Sequence, residues 1–239
     1  MTAAERGVQS LTRQVSDWLQ VPSRDAALAS VASLRPEKLI RPLFSCLCSC
    51  DHQVKWHAVS AMGQTIAILA NQEMEAARVV MRRFMWMLND ESGGIGWGVP
   101  EAIGEVLACH GKLAEEYTHV LVSFMREDGF YLELETLQRG LLWGVAREAE
   151  VFPLHLRAKN AVLYIKHYLR SEDPEVIALA CLALGRLGDH LDCPSLALFL
   201  DDQRVVSLYQ DGKFLETTVG AMAWQARESL GGSLDLSLE

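Results

Sequence analysis

The 239-residue sequence predicts an all-α fold, a right-handed α-solenoid of stacked helical hairpins that ends in a small β-hairpin and a capping helix. A recurring pattern of small and apolar residues, spaced by four, three and two positions, carries this prediction, because the first three members share one helical face. The copies are offset by 41 and then 81 residues, and a period near 40 with two helical segments is typical of α-solenoids. The members are Val54, Ala58, Ala61, Gly63; Ile95, Val99, Ala102, Gly104; and Val176, Ala180, Ala183, Gly185.

The first 22 residues are expected to form an N-terminal capping helix, which Val21-Pro22 ends. A pair of short helices follows, with Ser23 as the N-cap of the first helix and Pro36 in the first turn of the second. This pair matches the repeat pattern weakly, as terminal repeats of solenoids commonly do.

About five helical repeats are expected over residues 23–203. Asp51 is the predicted N-cap of the second repeat. The fourth repeat leaves two alignments open, because Trp143 stands where the pattern expects a small residue and a shift by one position recovers only Gly144. A long helix over residues 156–169 completes that repeat. The approximate bounds are 23–48, 51–88, 89–125, 129–170 and 173–200.

Residues 204–239 change pattern. Alternating side chains flank Asp211-Gly212, a pair typical of a two-residue hairpin turn, so two short strands are expected. A final helix over about 218–230 then closes the array, and a polar tail follows. The prediction is one domain of helical repeats over residues 1–239.

Composition limits the function classes. Half of the residues are hydrophobic and the formal charge is −9, which counts against a protein that binds nucleic acid by neutralising phosphates. The best basic cluster, Arg78, Arg82 and Arg83, is interpreted as a solvated helix face, with nucleic-acid contact as the alternative. The sequence has neither a run of about 18 apolar residues nor a signal-peptide core, so we expect a cytoplasmic protein with no membrane partner.

The segments DHQVKWHAVSAMG and DPEVIALACLALGRLGD resemble HEAT repeats, especially the short PBS-lyase-like class. The resemblance implies that the motif helix of each repeat lines a concave surface where partners bind. The family usually has a basic residue after the valine; Lys55 fits this pattern, whereas Gly96 and Ile177 do not. The family includes scaffolds, bilin-lyase subunits, deoxyhypusine hydroxylases and relatives of alkylpurine DNA glycosylases, so the resemblance does not select one function.

The segment 91–105 is the most unusual local sequence, because four glycines surround Ile95 and Trp97 at the start of a motif helix. Each helical glycine costs roughly 1 kcal/mol relative to alanine. One interpretation is a distorted helix start with close backbone packing, in which Trp97 fills the core. The other is a site where a ligand approaches the backbone and helix-start N–H groups receive an anion.

Trp56 and Trp97 each follow the first motif position by two residues, so the pattern places them in equivalent positions of adjacent repeats. Two residues correspond to about 200° of helical rotation, which turns both indoles away from the packing stripe. Glu101 lies four residues beyond Trp97 and would share its side. The alternative is that both indoles pack between repeats. The predicted concave binding residues are Trp56, Gly94, Gly96, Trp97, Glu101, Arg139 and Trp143.

A CxCxCxH cluster, formed by Cys46, Cys48, Cys50 and His52, is the only weak candidate for a metal site. Zinc sites need about four convergent ligands, whereas alternate positions near a helix end point in different directions. We therefore interpret these cysteines as small buried thiols, and no cofactor is predicted.

Two functional hypotheses follow. The first is a non-enzymatic scaffold or adaptor that holds a protein or peptide on its concave face. The second is an enzyme of the lyase or glycosylase type, with Glu101 or Glu105 as the acid/base and Trp97 stacked on a ring of the substrate.

Overall fold

The computed structural model describes residues 3–89 and 95–231. Within this part of the chain the structure is helical apart from one two-stranded sheet, which confirms the all-α prediction. The described residues fall into two compact units, one up to Ala114 and one from Glu115 onward. No helix in either described range is long and apolar enough to cross a bilayer.

The helices and strands have the following bounds: α1 Ala3–Leu19, α2 Arg24–Val31, α3 Pro36–Leu47, α4 His52–Gln72, α5 Met74–Asn89, α6 Val99–Cys109, α7 Gly111–Ser123, α8 Glu135–Ala149, α9 Pro153–Ala158, α10 Ala161–Tyr168, α11 Pro174–Leu187, α12 Cys193–Ala197, β1 Val205–Gln210, β2 Lys213–Thr218 and α13 Val219–Ser229.

Helix starts follow the local sequence signals. The Ser23 hydroxyl accepts a hydrogen bond from the N–H of Ala26 at 3.3 Å, which confirms the predicted cap of α2. Asp51 and Asp173 each accept hydrogen bonds from the second and third residues of α4 and α11. Pro36 occupies the first turn of α3, where its missing N–H leaves no bond unmade.

In the first unit, α4 packs against both α3 and α6. The motif residues Val54, Ala58 and Ala61 are buried, so the small-residue stripe faces neighbouring helices as its spacing predicts. Gly63 lies about 200° around the helix from Ala61, and a Cβ at this position would lie 2.6 Å from Cγ of Glu105. The absence of a side chain at Gly63 therefore permits the close approach of α4 and α6.

In the second unit, α11 packs against α8 and α13. Gly185 has the role of Gly63 in this unit, because a Cβ there would lie 2.8 Å from Cα of Ala226 on α13. The β-hairpin pairs antiparallel, with Leu208 opposite Leu215. Asp211 and Gly212 both have positive φ, at 49° and 82°, which confirms the predicted two-residue turn.

Two expected helices are wrong in detail. The third motif helix begins at Val99, so Ile95, which is 42% exposed, precedes it instead of forming its first packed position. The expected helix over 156–169 is interrupted between α9 and α10, because Asn160 adopts a left-handed conformation with φ of 57°. Asparagine tolerates this conformation better than most residues.

Candidate functional site

An ion pair links two motif helices of the first unit. Lys55, in the first turn of α4, places Nζ 2.6 Å from Oε1 of Glu101, in the first turn of α6. Glu101 is only 3% exposed, whereas the Lys55 side chain is 20% exposed. A buried carboxylate needs a charged or hydrogen-bonded partner, and Lys55 supplies it from the adjacent helix.

The two tryptophans of the first unit lie in different environments. Trp56, on α4, is 9% exposed, and the ammonium of Lys55 lies 5.3 Å from the centre of its ring. Trp97 is 38% exposed and belongs to the turn that precedes α6. The prediction that these residues occupy equivalent positions on two helices is therefore wrong, as is the prediction that Glu101 follows Trp97 by one turn of the same helix.

The conformation of Gly98 explains the displaced tryptophan. This residue caps α6 with φ of 73°, and a Cβ on it would lie 2.7 Å from the carbonyl oxygen of Leu47 at the end of α3. The chain therefore turns at Gly98, and α6 starts one residue later. Gly96 also approaches backbone, since a Cβ there would be 3.2 Å from the carbonyl oxygen of Met87. Gly94 lies outside the described residues.

Cys48, at the end of α3, completes this arrangement, which we call the Trp97 corner: Cys48, Lys55, Trp56, Trp97 and Glu101. The Cys48 thiol lies 3.9 Å from the carbonyl oxygen of Trp97, within the range of a weak S–H hydrogen bond. Partial burial raises the pKa of Cys48, and the nearby ammonium of Lys55 opposes that shift. The exposed part of the corner thus combines the indole of Trp97 with the ammonium of Lys55. The carboxylate of Glu101 is buried and paired with that ammonium.

The remaining members of the cysteine cluster do not converge with Cys48. Cys46 is buried in α3, and burial raises its pKa to about 11, so it stays a thiol at neutral pH. Cys50 is exposed. Within residues 3–89 and 95–231, no group of three or more His, Cys, Asp or Glu side chains is arranged to hold a metal ion.

Glu105, the other candidate acid/base, lies one turn beyond Glu101 on α6 and is also buried. Its Oε1 lies 3.6 Å from the thiol of Cys109. Both carboxylates therefore face packed neighbours.

The two predicted site residues of α8 belong to the second unit. Trp143 is buried, and its indole N–H donates to the carbonyl oxygen of Tyr209 at 2.7 Å, so its side chain packs on β1 instead of lining an open surface. Arg139 contacts the next motif helix, with Nε 3.0 Å from Asp173 and Nη1 2.6 Å from Glu175. This Arg139 contact reaches across 34 positions of the chain.

Sequence reasoning missed two members of the corner. Lys55 appeared only as a family-like basic residue after Val54, and Cys48 only as a candidate ligand of zinc. The basic residue was a usable signal, because a lysine in the first turn of one motif helix can reach a carboxylate on the next helix. The contact between Cys48 and Trp97 had no sequence signal, since it depends on the turn at Gly98.

Replacing Lys55 with methionine is expected to lower the free energy of unfolding by about 2 kcal/mol, because Glu101 stays buried and loses its cation. The measurement is chemical denaturation at neutral pH. The double variant Lys55→Met/Glu101→Leu should recover most of this loss, since no charge is then left buried. A double variant no more stable than Lys55→Met would contradict the assigned pairing.

Comparisons with known proteins establish the fold and no closer relationship. No family model matches the chain. An uncharacterized protein of Archaeoglobus fulgidus is 24% identical over 200 residues, which span 83% of this chain and 99% of that protein.

Two engineered structures resemble the chain over most of its length. A designed armadillo repeat protein in complex with the peptide (KR)4 has a TM-score of 0.51 at 19% identity, covering 91% of this chain and 98% of its own. An engineered protein of the Northeast Structural Genomics Consortium has a TM-score of 0.50 at 15% identity, covering 93% and 99%. These likenesses show an α-solenoid repeat fold.

Proposed function

We propose that this protein is a HEAT-like repeat scaffold that binds an extended peptide segment of a protein partner through the Trp97 corner. The observation that carries the proposal is the Trp97 indole, which is 38% exposed although the turn that holds it packs closely on the end of α3. A large aromatic side chain on a rigid support is a typical anchor for a binding partner.

The contacts between motif helices support the HEAT-like assignment. Lys55 pairs with Glu101 on the next motif helix of the first unit, and Arg139 pairs with the N-cap Asp173 of the next motif helix in the second. Lys55 is also the basic residue that the sequence resemblance leads us to expect directly after the valine.

The repeat fold supports a polypeptide as the partner. Stacked repeats build an extended surface that suits an extended chain. The designed armadillo repeat protein with the same fold is in complex with a peptide. Residues 1–114, which contain the corner, have 11 basic and 11 acidic residues, so this unit lacks the surplus of positive charge that binding of nucleic-acid phosphates needs.

The chemistry of the corner suits a peptide better than a reaction. Trp97 offers a face for an apolar, aromatic or cationic side chain, and the partly exposed Lys55 ammonium can donate to a peptide carbonyl or carboxylate. Glu101 is 3% exposed and its Oε1 accepts a hydrogen bond from the Lys55 ammonium at 2.6 Å, so this carboxylate is buried in a structural ion pair. The acid/base alternative therefore has less support.

The test is selection of binders from a displayed library of random 12-residue peptides on the full-length protein. Trp97→Ala is expected to weaken the selected peptides at least tenfold, because truncating an aromatic anchor commonly costs about 2 kcal/mol. Trp86→Ala is the matched control, since Trp86 is a tryptophan of the same unit with 65% exposure on α5. Fluorescence anisotropy of labelled peptides measures both affinities.

Peptides that bind Trp97→Ala as tightly as the unmodified protein would contradict the proposal. Equal losses in the Trp97→Ala and Trp86→Ala variants would also contradict it, because they would indicate attraction to exposed tryptophans in general. Circular dichroism and thermal unfolding show whether each variant retains the fold.

A further inference from the structure

The net negative charge of the protein comes from one of its two units. Residues 1–114 contain 11 Lys and Arg and 11 Asp and Glu, whereas residues 115–239 contain 11 and 20. The formal charge of −9 therefore belongs to the second unit. A unit with this imbalance attracts cations and disfavours anions.

A surface cavity of about 360 Å³ lies in this unit, between residues 125–128, which follow α7, and α10. Its walls are apolar and aromatic on the α10 side and acidic on the other side. The lining residues are Met125, Glu127, Asp128, Leu163, Tyr164 and His167. An aromatic wall opposite carboxylates suits an organic cation, because the ring face and the carboxylates both attract positive charge.

The chain already stabilises one guanidinium at this cavity. Arg126 donates to both carboxylate oxygens of Asp128, at 2.9 and 2.7 Å, and its guanidinium carbon lies 5.6 Å from the centre of the Tyr164 ring. The side chain of Arg126 is 39% exposed, and Tyr164 is itself partly exposed. The aromatic and acidic side chains here therefore already bind a guanidinium group that belongs to the protein itself.

A second layer of aromatic rings supports the wall. Tyr131 stacks on Tyr168 with ring centres 6.3 Å apart, and His167 meets both rings edge-on. The Nε2 of His167 lies 3.7 Å from Glu127. Burial raises the pKa of Tyr131, and the carboxylates of Glu127, Glu133 and Glu135 raise it further. Negatively charged carboxylates thus surround this layer of aromatic rings.

We propose that this cavity of the second unit is a binding site for a guanidinium group, such as the arginine side chain of a partner, held between the Tyr164 and His167 rings and the carboxylates of Glu127 and Asp128. A planar guanidinium fits this site better than an ammonium, because it stacks on rings and bonds carboxylates in two places at once. The proposal does not depend on the Trp97 corner, whose residues all lie in the first unit.

The test uses a small probe and its neutral counterpart. N-acetyl-arginine methylamide, titrated into the isotope-labelled full chain, should shift the NMR resonances of residues 125–128 and 163–168, whereas the citrulline analogue, which has the same shape without the charge, should not. Because the carboxylates are exposed, the shifts should decrease at high salt.

Three variants give expectations of opposite sign. Tyr164→Leu and Glu127→Gln should each weaken the probe about threefold, since each removes one attraction at an exposed site. Arg126→Gln should instead strengthen the probe about threefold, because it removes the competing guanidinium and its like charge. A purely structural role of Arg126 would not produce this gain.

Equal shifts with the arginine and citrulline probes would overturn the proposal, as would weaker binding to Arg126→Gln. The side chain of Glu127 is 77% exposed, so Glu127→Gln keeps the test decisive if Tyr164→Leu disturbs α10. If peptides still bind at the Trp97 corner but the arginine probe shifts no resonances at the cavity, only the proposal for the cavity is contradicted.

Discussion

Glu148→Gln is expected to stabilise the protein strongly at alkaline pH. Glu148 lies on α8 with no exposed surface, and its Oε1 accepts a hydrogen bond from Thr118. Its Oε2 is buried with no hydrogen-bond partner among the residues that the structure describes. Burial raises its pKa from 4.5 to about 8, and the Thr118 hydrogen bond opposes the shift only in part. Folding therefore keeps a proton on a group that the unfolded chain releases.

The direction of the pH effect follows from this difference. Below pH 4.5 both states hold the proton and Glu148 contributes no pH dependence; between 4.5 and about 8 the unfolded state loses the proton first, so stability falls as pH rises. The loss is about 3 kcal/mol at pH 7 and about 5 kcal/mol above pH 8. Glutamine keeps an acceptor for Thr118 and cannot ionise, so it removes this loss.

Urea unfolding of both proteins between pH 5 and pH 9 measures the effect. The curves of unfolding free energy against pH should lie close together near pH 5 and diverge as pH rises, with Glu148→Gln the more stable protein. The exposed Glu228 on α13 provides the control, since Glu228→Gln makes the same chemical change at the surface of the same unit. Parallel curves for Glu148→Gln and the unmodified protein would contradict the assignment.

Gly185→Leu is expected to destabilise the second unit by about 3 kcal/mol, because the added side chain has no room between two helices. A Cβ at Gly185 would lie 2.8 Å from Cα and 3.0 Å from Cβ of Ala226. The first of these atoms belongs to the backbone of α13, so rotation of a side chain cannot relieve the clash.

For the smaller replacement Gly185→Ala, the sign of the change in unfolding free energy is the test. At an unobstructed helix position, alanine in place of glycine stabilises by about 1 kcal/mol. At Gly185 we expect a loss instead, measured by thermal unfolding, together with faster hydrogen exchange in α11 and α13. Ala221→Leu, on the exposed face of α13, is the control for enlarging a side chain on the helix that Gly185 contacts. A stabilised Gly185→Ala would show that the two helices are not in close contact there.

Local sequence determined the elements whose geometry depends on a few neighbouring residues. Ser23, Asp51 and Asp173 cap helices because a short side chain with an oxygen can reach the free N–H groups of the following turn. Asp211-Gly212 makes the hairpin turn because both residues tolerate positive φ. The steps of four and three placed Val176, Ala180 and Ala183 on one buried face, since the period of the α-helix sets which residues share a face.

Tertiary structure decided the environment of each candidate site residue. Trp97 lies outside the motif helix because Gly98 adopts a left-handed conformation where the chain passes the carbonyl group of Leu47. Trp143 became buried because β1, 66 positions away, supplies a carbonyl oxygen to its indole.

Periodicity along the chain specifies the direction of a side chain on its own helix, and it contains no information on which distant segment lies opposite. The sequence by itself therefore determined a repeating helical array with its caps and hairpin. Only the packing of distant segments decided that Trp97 is exposed while Trp56 is buried, and that Lys55 and Glu101 form a pair.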